Sequence, residues 1–170
     1  CRRMSIDQLD FLKKHLDKME KLGMVRRTKN PVWGVPVFVV KKPNGKGYRM
    51  VADFRAVNQR VLKTSLPMTN LEVMLGATHG AVYYGSLDNL KGFNLLGTSR
   101  SDLFTLVTPF GCYEMLVAPQ GFINSPAVYQ DRICNEVLDG LHRKTCLNWI
   151  DDCLVYGKSE EEYLDRLEEV

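Results

Sequence analysis

Histidine is scarce in this chain, with 3 in 170 residues, and the 5 cysteines include no Cys-x-x-Cys pair. That excludes a zinc framework, which needs closely spaced thiolate and imidazole ligands. An odd cysteine count at irregular spacing gives no disulfide scaffold either, and a reducing compartment is the simplest reading. No apolar run approaches the ~20 residues of a membrane-spanning helix, and no signal-peptide pattern opens the chain. Internal repeats, low-complexity segments and linkers are missing as well. What is present is 45% hydrophobic residues, enough in 170 residues for one full-sized domain with its own core. The chain begins at Cys1 and stops at Val170 inside a helical pattern, so it reads as a segment of something longer.

The net charge of +3 is unevenly placed. Residues 1–63 carry 16 Lys/Arg against 5 Asp/Glu, a net of +11, whereas residues 64–170 carry 7 against 15, a net of −8. A basic front half suits a polyanionic partner, and the acidic excess includes carboxylates that a cation would compensate. Lys13, Lys14, Lys18 and Lys21 read equally well as the solvated face of a helix.

Ser5-Ile6-Asp7-Gln8 fits a capping box, and Leu9, Leu12, Leu16 and Met19 follow at helical spacing. They predict an amphipathic helix over about 6–23, closed by Gly23. Val35–Lys42 and Tyr48–Asp53 read as strands joined by the turn Pro43-Asn44-Gly45. Residues 54–66 read as a short helix and an extended run, and Thr69 as the cap of a helix over 70–76. Ala81–Leu87 is an apolar strand ending at Asp88, and Leu90–Leu96 is a short helix or a turn. Leu103–Val107 and Cys112–Val117 pair across Thr108-Pro109-Phe110-Gly111. Ser125-Pro126 reads as an N-cap with proline at the first helical position, opening a helix to about Leu138. Ser159–Glu162 is a second capping box, followed by the stripe Tyr163, Leu164, Leu167, Val170. Hairpins mixed with helices predict an α+β fold with an antiparallel sheet.

The most informative stretch is Asn148-Trp149-Ile150-Asp151-Asp152-Cys153-Leu154-Val155-Tyr156. Two carboxylates sit between short β-prone runs and read as a hairpin tip. Such a turn wants positive φ, and Asp-Asp offers no glycine and sets like charges side by side. A divalent cation held by oxygen ligands explains the pair, although by itself an Asp-Asp turn is more often simply solvated. Asp88, ending another strand, is a third carboxylate. If those strands are neighbours, the three converge in the way that suits two Mg²⁺ ions at a phosphoryl centre.

The order and spacing of these segments resemble the reverse transcriptases of retroviruses and, more closely, of gypsy-like LTR retrotransposons. Gly85-Ser86-Leu87-Asp88-Asn89-Leu90-Lys91-Gly92-Phe93 is similar to the family's first aspartate motif. Val107-Thr108-Pro109-Phe110-Gly111-Cys112-Tyr113-Glu114 with Ala118-Pro119-Gln120-Gly121-Phe122-Ile123-Asn124-Ser125-Pro126-Ala127 is similar to its second. Trp149-Ile150-Asp151-Asp152 resembles the Tyr-x-Asp-Asp box. Val39–Pro43 and Tyr48–Val51 resemble the fingers hairpin, and Asp53–Asn58 the segment just after it. The match spans nearly the whole chain.

The resemblance implies a polymerase palm with an antiparallel sheet flanked by helices, plus a fingers β-hairpin, with no thumb in this segment. Residues 1–80 would be mainly fingers with the N-terminal helix, and 81–170 mainly palm, with a fingers contribution at about 97–117. Asp88, Asp151 and Asp152 would be the catalytic and metal-binding carboxylates, with the Asn89 carbonyl assisting, around two Mg²⁺ ions or Mn²⁺. Lys42 and Arg49 would hold the triphosphate of the incoming dNTP, one as a point charge and the other as a forked donor. Phe93, which alone reads as a core residue, would lie under the sugar and exclude a 2′-hydroxyl. Gln120 and Gly121 would contact the nucleotide, though a loop amide and a turn glycine fit them too. Arg55 and Asn58 would lie along the template, where a surface or capping role fits equally, and Trp149 near the primer end.

Trp149 departs from the family's tyrosine, keeping a large ring and losing the hydroxyl. The implied activity is RNA-directed DNA polymerisation on an RNA or DNA template-primer, with no membrane partner. Thumb, RNase H, integrase and protease domains are expected elsewhere in a polyprotein. The implied location is cytoplasmic, in virus-like particles, or nuclear, and not secreted. Two other classes stay open from sequence: an inactive nucleic-acid-binding remnant, and a metal-dependent nuclease using the same carboxylates.

Overall fold

The first helix forms where its cap and spacing demand. Ser5 accepts the Gln8 N–H and the Gln8 side chain accepts the Ser5 N–H, completing the capping box of α1 (Ile6–Lys21). Lys18 and Lys21 occupy the last turn, where cations oppose the helix dipole, and Gly23 turns the chain at φ +67°. A computed structural model of the chain describes residues 3–43, 45–64, 66, 70–89 and 92–170.

After α1 come β1 (Val25–Thr28), β2 (Val35–Lys41), β3 (Tyr48–Ala52), α2 (Arg55–Asn58), α3 (Leu71–Gly76) and β4 (Tyr83–Asp88). Next are β5 (Thr105–Thr108), β6 (Gly111–Met115), α4 (Ser125–Arg132), β7 (Cys146–Trp149), β8 (Asp152–Gly157) and α5 (Glu160–Glu169). The chain divides into two units, Cys1–Leu62 with Phe93–Ser125, and Lys63–Gly92 with Pro126–Val170.

The first unit is a five-stranded sheet in the order β1-β6-β5-β2-β3. All its pairs are antiparallel except β2 with β5. β1 carries two arginines in four residues and its own pattern does not announce a strand; pairing with β6 stabilises it. Val35, Val37 and Val39 alternate inward from β2, and central β5 is buried along most of its length. Leu12, Leu16 and Met19 of α1 join this core, together with Val25, Leu106, Tyr113 and Met115.

The second unit is an antiparallel sheet in the order β4-β8-β7. Its two faces carry separate small cores. Cys146, Cys153 and Val155 pack with Leu138, Tyr163 and Leu167 on one, and Leu147, Leu154, Tyr156 and Trp149 with Met74 on the other. Tyr163 of α5 lies so close over Gly85 that a Cβ there would strike its hydroxyl.

Several expected boundaries shift for local reasons. Thr69 lies outside the described residues; the side chain that caps α3 is Asn70, accepting the Glu72 N–H. Leu103 falls in a 3₁₀ turn, Ser101–Phe104, ahead of β5. Ser125 is not an N-cap: it is the first residue of α4, buried, and its hydroxyl donates to the Pro119 carbonyl at 2.8 Å. The helix reaches its expected end, with Leu138 as its C-cap, but α4 widens after Arg132 into a π-helical turn over Ile133–Val137. At α5 only half the box forms: Ser159 accepts the Glu162 N–H, while Glu162 accepts from Lys158 N–H instead of Ser159.

Candidate active site

Strand register gathers the carboxylates of the second unit. β4 and β8 place Asp88 opposite Asp152, and β7 and β8 place Trp149 opposite Asp152. Opposed residues of antiparallel strands share a face, so Asp88, Asp152 and Trp149 form one row across the sheet. Like charges set opposite one another destabilise a sheet, and a bound cation reverses the sign of that effect.

Asp151 enters from the turn, and here the expected geometry needs correction. The hairpin tip is Ile150-Asp151 rather than Asp151-Asp152, since Asp152 already belongs to β8 and pairs with Trp149. The positive φ falls on Ile150, at +54°. A β-branched residue there stores about 1–3 kcal/mol of strain. The register leaves no other choice: with residues 149 and 152 paired, residue 150 must take the first corner whatever its side chain.

The Asn89 N–H donates to the Asp151 carbonyl at 2.8 Å, tying the end of β4 to this turn. Asp151 is partly buried, and its Oδ1 is buried with no hydrogen-bond partner among the described residues. Burial, followed by the charges of Asp88 and Asp152, pushes the Asp151 pKa above the ordinary carboxylate range. Asp88 and Asp152 are exposed. A partly desolvated carboxylate with a spare oxygen, beside two others and a strand-end carbonyl, is the donor chemistry that hard divalent cations take. Among the described residues no group of three His, Cys, Asp or Glu side chains is placed to hold a metal ion. The donors are neighbours by backbone register.

Two residues of α4 serve this site and were not singled out from sequence. Tyr129 is fully buried, its hydroxyl lies near the Asn89 side chain, and burial above all raises its pKa. A Cβ at Gly92 would collide with that hydroxyl, so glycine is required there. Gln130, also buried, bonds the backbone of Asn148 and Ile150. The sequence signal for both was poor, because α4 is short and its apolar residues mark no clean stripe.

The first unit holds the remaining candidates. In the β2–β3 hairpin Val40 pairs with Arg49, and the Lys42 N–H donates to the Gly47 carbonyl at 3.1 Å. Alternation from Val40 puts Lys42 on the same face as Arg49, opposite the buried Val35, Val37 and Val39, and both cations are exposed. Asn44 of this turn lies outside the described residues. Arg55 is held in a forked ion pair by Asp53, Nε to Oδ1 at 2.8 Å and Nη2 to Oδ2 at 2.6 Å. Asn58 donates to the Gly121 carbonyl at 2.9 Å and accepts the Ile123 N–H at 3.0 Å, so its amide braces the loop that carries Gln120. Arg55, Asn58 and Gly121 line a concavity of about 440 Å³ with Phe38, Val51 and Asp53. Gln120 and Gly121 are exposed, and Gly121 sits at φ +94°. Phe93 is buried, at 8% exposure.

The chain is similar in sequence to the retrovirus-related Pol polyprotein from transposon 297 of Drosophila melanogaster, 31% identical over 159 residues. That match takes in 90% of this chain and 15% of the relative. It is similar also to the transposon Tf2-3 polyprotein of Schizosaccharomyces pombe, 30% identical over 152 residues, 88% of this chain and 11% of the relative. The chain thus spans well under a fifth of these larger polyproteins. Its fold matches native prototype foamy virus protease-reverse transcriptase at a TM-score of 0.84 and 24% identity, over 99% of this chain and 22% of that one. It also matches the foamy viral protease-reverse transcriptase in complex with an RNA/DNA hybrid, at 0.81 and 22% identity, over 99% and 22%. The family model described as reverse transcriptase (RNA-dependent DNA polymerase) matches residues 40–170. The chain belongs to the reverse transcriptase family.

Proposed function

We propose that the chain carries the nucleotide-adding centre of an RNA-directed DNA polymerase, joining dNTPs to a primer 3′-hydroxyl on an RNA or DNA template and releasing pyrophosphate. The observation that carries this reading is the opposition of Asp88 and Asp152 beside the spare oxygen of Asp151. Reverse transcriptases are generally dependent on divalent metal; two Mg²⁺ ions, or Mn²⁺, held by these carboxylates would lower the pKa of the attacking hydroxyl and balance charge on the leaving phosphates.

Asp88 and Asp151 are the main ligands, with the Asn89 carbonyl assisting and Asp152 adding negative charge on the same face. Lys42 and Arg49 bind triphosphate oxygens, a task supported by their exposure on one face of the β2–β3 hairpin. Phe93 excludes a ribose 2′-hydroxyl, and Gln120 with Gly121 contacts the nucleotide. Arg55, fixed by Asp53, lies along the template, and Asn58 acts there through the loop it braces. Trp149 packs near the primer end. Residues 1–80 act mainly as fingers and 81–170 mainly as palm, with a fingers contribution at about 97–117, inside a polyprotein that supplies thumb, RNase H, integrase and protease. Contacts to the nucleic-acid backbone make binding salt-dependent and largely indifferent to sequence.

The test is primer extension on poly(rA)/oligo(dT) with Mg²⁺ or Mn²⁺, using the full-length protein that contains this chain. Extension that disappears in Asp151→Asn while template-primer binding persists is the expected result. Binding without extension in the unmodified protein would instead mark an inactive remnant, and nucleotide release without dNTPs a nuclease.

A further inference from the structure

We infer that Gln130 is a positioning residue that holds the strained Ile150-Asp151 turn, and through it the Asp151 carboxylate, in its metal-binding orientation. The inference rests on the reading of Asp151 as a metal ligand. Gln130 is 5% exposed, and both ends of its amide reach the backbone of the β7–β8 hairpin. Its Oε1 accepts the Ile150 N–H at 2.5 Å, and its Nε2 donates to the Asn148 carbonyl at 2.7 Å. The same Nε2 donates to Cys134 Sγ at 2.9 Å, and the sense of the amide is fixed by the Ile150 N–H, which can only donate, and the Asn148 carbonyl, which can only accept. Asn148, fully buried, donates its Nδ2 to the Ile150 carbonyl at 3.0 Å.

Both polar groups of Ile150 are therefore gripped by buried amides, N–H by Gln130 and C=O by Asn148. Ile150 is also the residue at φ +54°, where a β-branched side chain does not stay without surrounding structure that forces it. Holding the Ile150 carbonyl sets the plane of the peptide that leads into Asp151. The Asp151 carbonyl is fixed in turn by the Asn89 N–H at 2.8 Å. With its backbone bound on both sides, Asp151 presents a carboxylate whose Oδ1 has no hydrogen-bond partner among the described residues. A buried glutamine that only satisfied the core would leave the metal affinity of a neighbouring carboxylate alone; one that sets the turn would not.

The experiment compares the full-length protein with Gln130→Met, which removes both turn bonds, and with Gln130→Asn, which keeps a buried amide but shortens its reach. Mn²⁺ binding is titrated by electron paramagnetic resonance, amide exchange is followed at Ile150, and primer-extension kcat and dNTP KM are measured. Mn²⁺ affinity and kcat each fall about 10- to 100-fold, as for other residues that orient metal ligands, with dNTP KM little changed and faster exchange at Ile150. In an Ile150→Gly background, where positive φ carries no strain, the Gln130→Met effect shrinks. Wild-type Mn²⁺ affinity per folded molecule in both Gln130 variants overturns the inference, even if they melt lower. If the unmodified protein binds Mn²⁺ and extends no primer while Gln130→Met weakens that binding, the polymerase reading fails and the positioning role stands. If the unmodified protein extends primers and both variants match it, the positioning role fails alone.

Discussion

The unit formed by Cys1–Leu62 and Phe93–Ser125 carries 16 Lys/Arg against 7 Asp/Glu, a net of +9, while Lys63–Gly92 with Pro126–Val170 carries 7 against 13, a net of −6. Their interiors differ in the same sense. The basic unit has one continuous core in which Leu12, Leu16, Val35 and Leu106 are fully buried. The acidic unit divides its apolar residues between two faces of a three-stranded sheet, and β4 is exposed along nearly all its length. It also opposes two carboxylates, bends through a β-branched residue at positive φ, and leaves a carboxylate oxygen buried without a partner among the described residues. One unit is arranged for stability and offers cations at its surface; the other accepts local instability to keep oxygen donors together.

The largest expected effect breaks the acidic unit's side of that contrast. Asp88→Asn or Asp151→Asn lowers extension by about a thousandfold or more in single-turnover assays while the protein remains folded. Near-normal turnover in either variant contradicts the metal-ligand roles. On the basic unit, Phe93→Ala raises ribonucleotide use relative to dNTP by roughly a hundredfold in competition assays; equal rejection of rNTP by variant and parent removes the gate assignment. Lys42→Ala and Arg49→Ala each raise dNTP KM by about 10- to 100-fold, the scale of one charge-assisted contact to phosphate. An unchanged KM returns those side chains to the role of solvated surface cations.

Stability separates the units further. Leu16→Ala in the continuous core costs about 2–5 kcal/mol in chemical denaturation. A loss under about 1 kcal/mol would mean that α1 is not anchored as its burial indicates. The smallest effect has the opposite sign. Because the Asp151 pKa is raised on folding, ionising it opposes folding. That penalty is absent below the ordinary carboxylate range and grows as pH rises through the raised value. In chelated buffer Asp151→Asn therefore melts slightly above the parent at pH 7 and level with it near pH 3, and added Mn²⁺ narrows the gap by stabilising the parent. A variant that melts lower at pH 7 would show that the carboxylate is already compensated by the protein.

Where local rules decide the outcome, they could be read from the residues. The Ser5-Gln8 box, the 35/37/39 alternation and the Tyr48 return strand depend on contacts within a few residues, and the folded chain keeps them. β1 could not be read, because its partner β6 lies 88 residues away at Arg26–Glu114 and supplies the stability its own arginines do not. The end of the helix that opens at Ser125 could be read, near Leu138, but its π-helical last turn could not, because it breaks the 3.6-residue spacing on which any periodic reading relies. At the site, the three aspartates stand out as charged residues in apolar runs. Tyr129 and Gln130 do not, since a buried amide is recognisable only once its partners are in place.

The residues alone determined which side chains are the candidates: three carboxylates at strand ends, two cations on a hairpin, and a charge split between the halves of the chain. Tertiary structure decided how they are arranged. Pairing across 64 residues set Asp88 against Asp152, moved the turn to Ile150-Asp151, and placed Gln130 where it grips that turn. The physical reason is range. Side-chain type and short-period patterning are local properties, whereas register, burial and the pairing of buried polar groups exist only after distant segments have met.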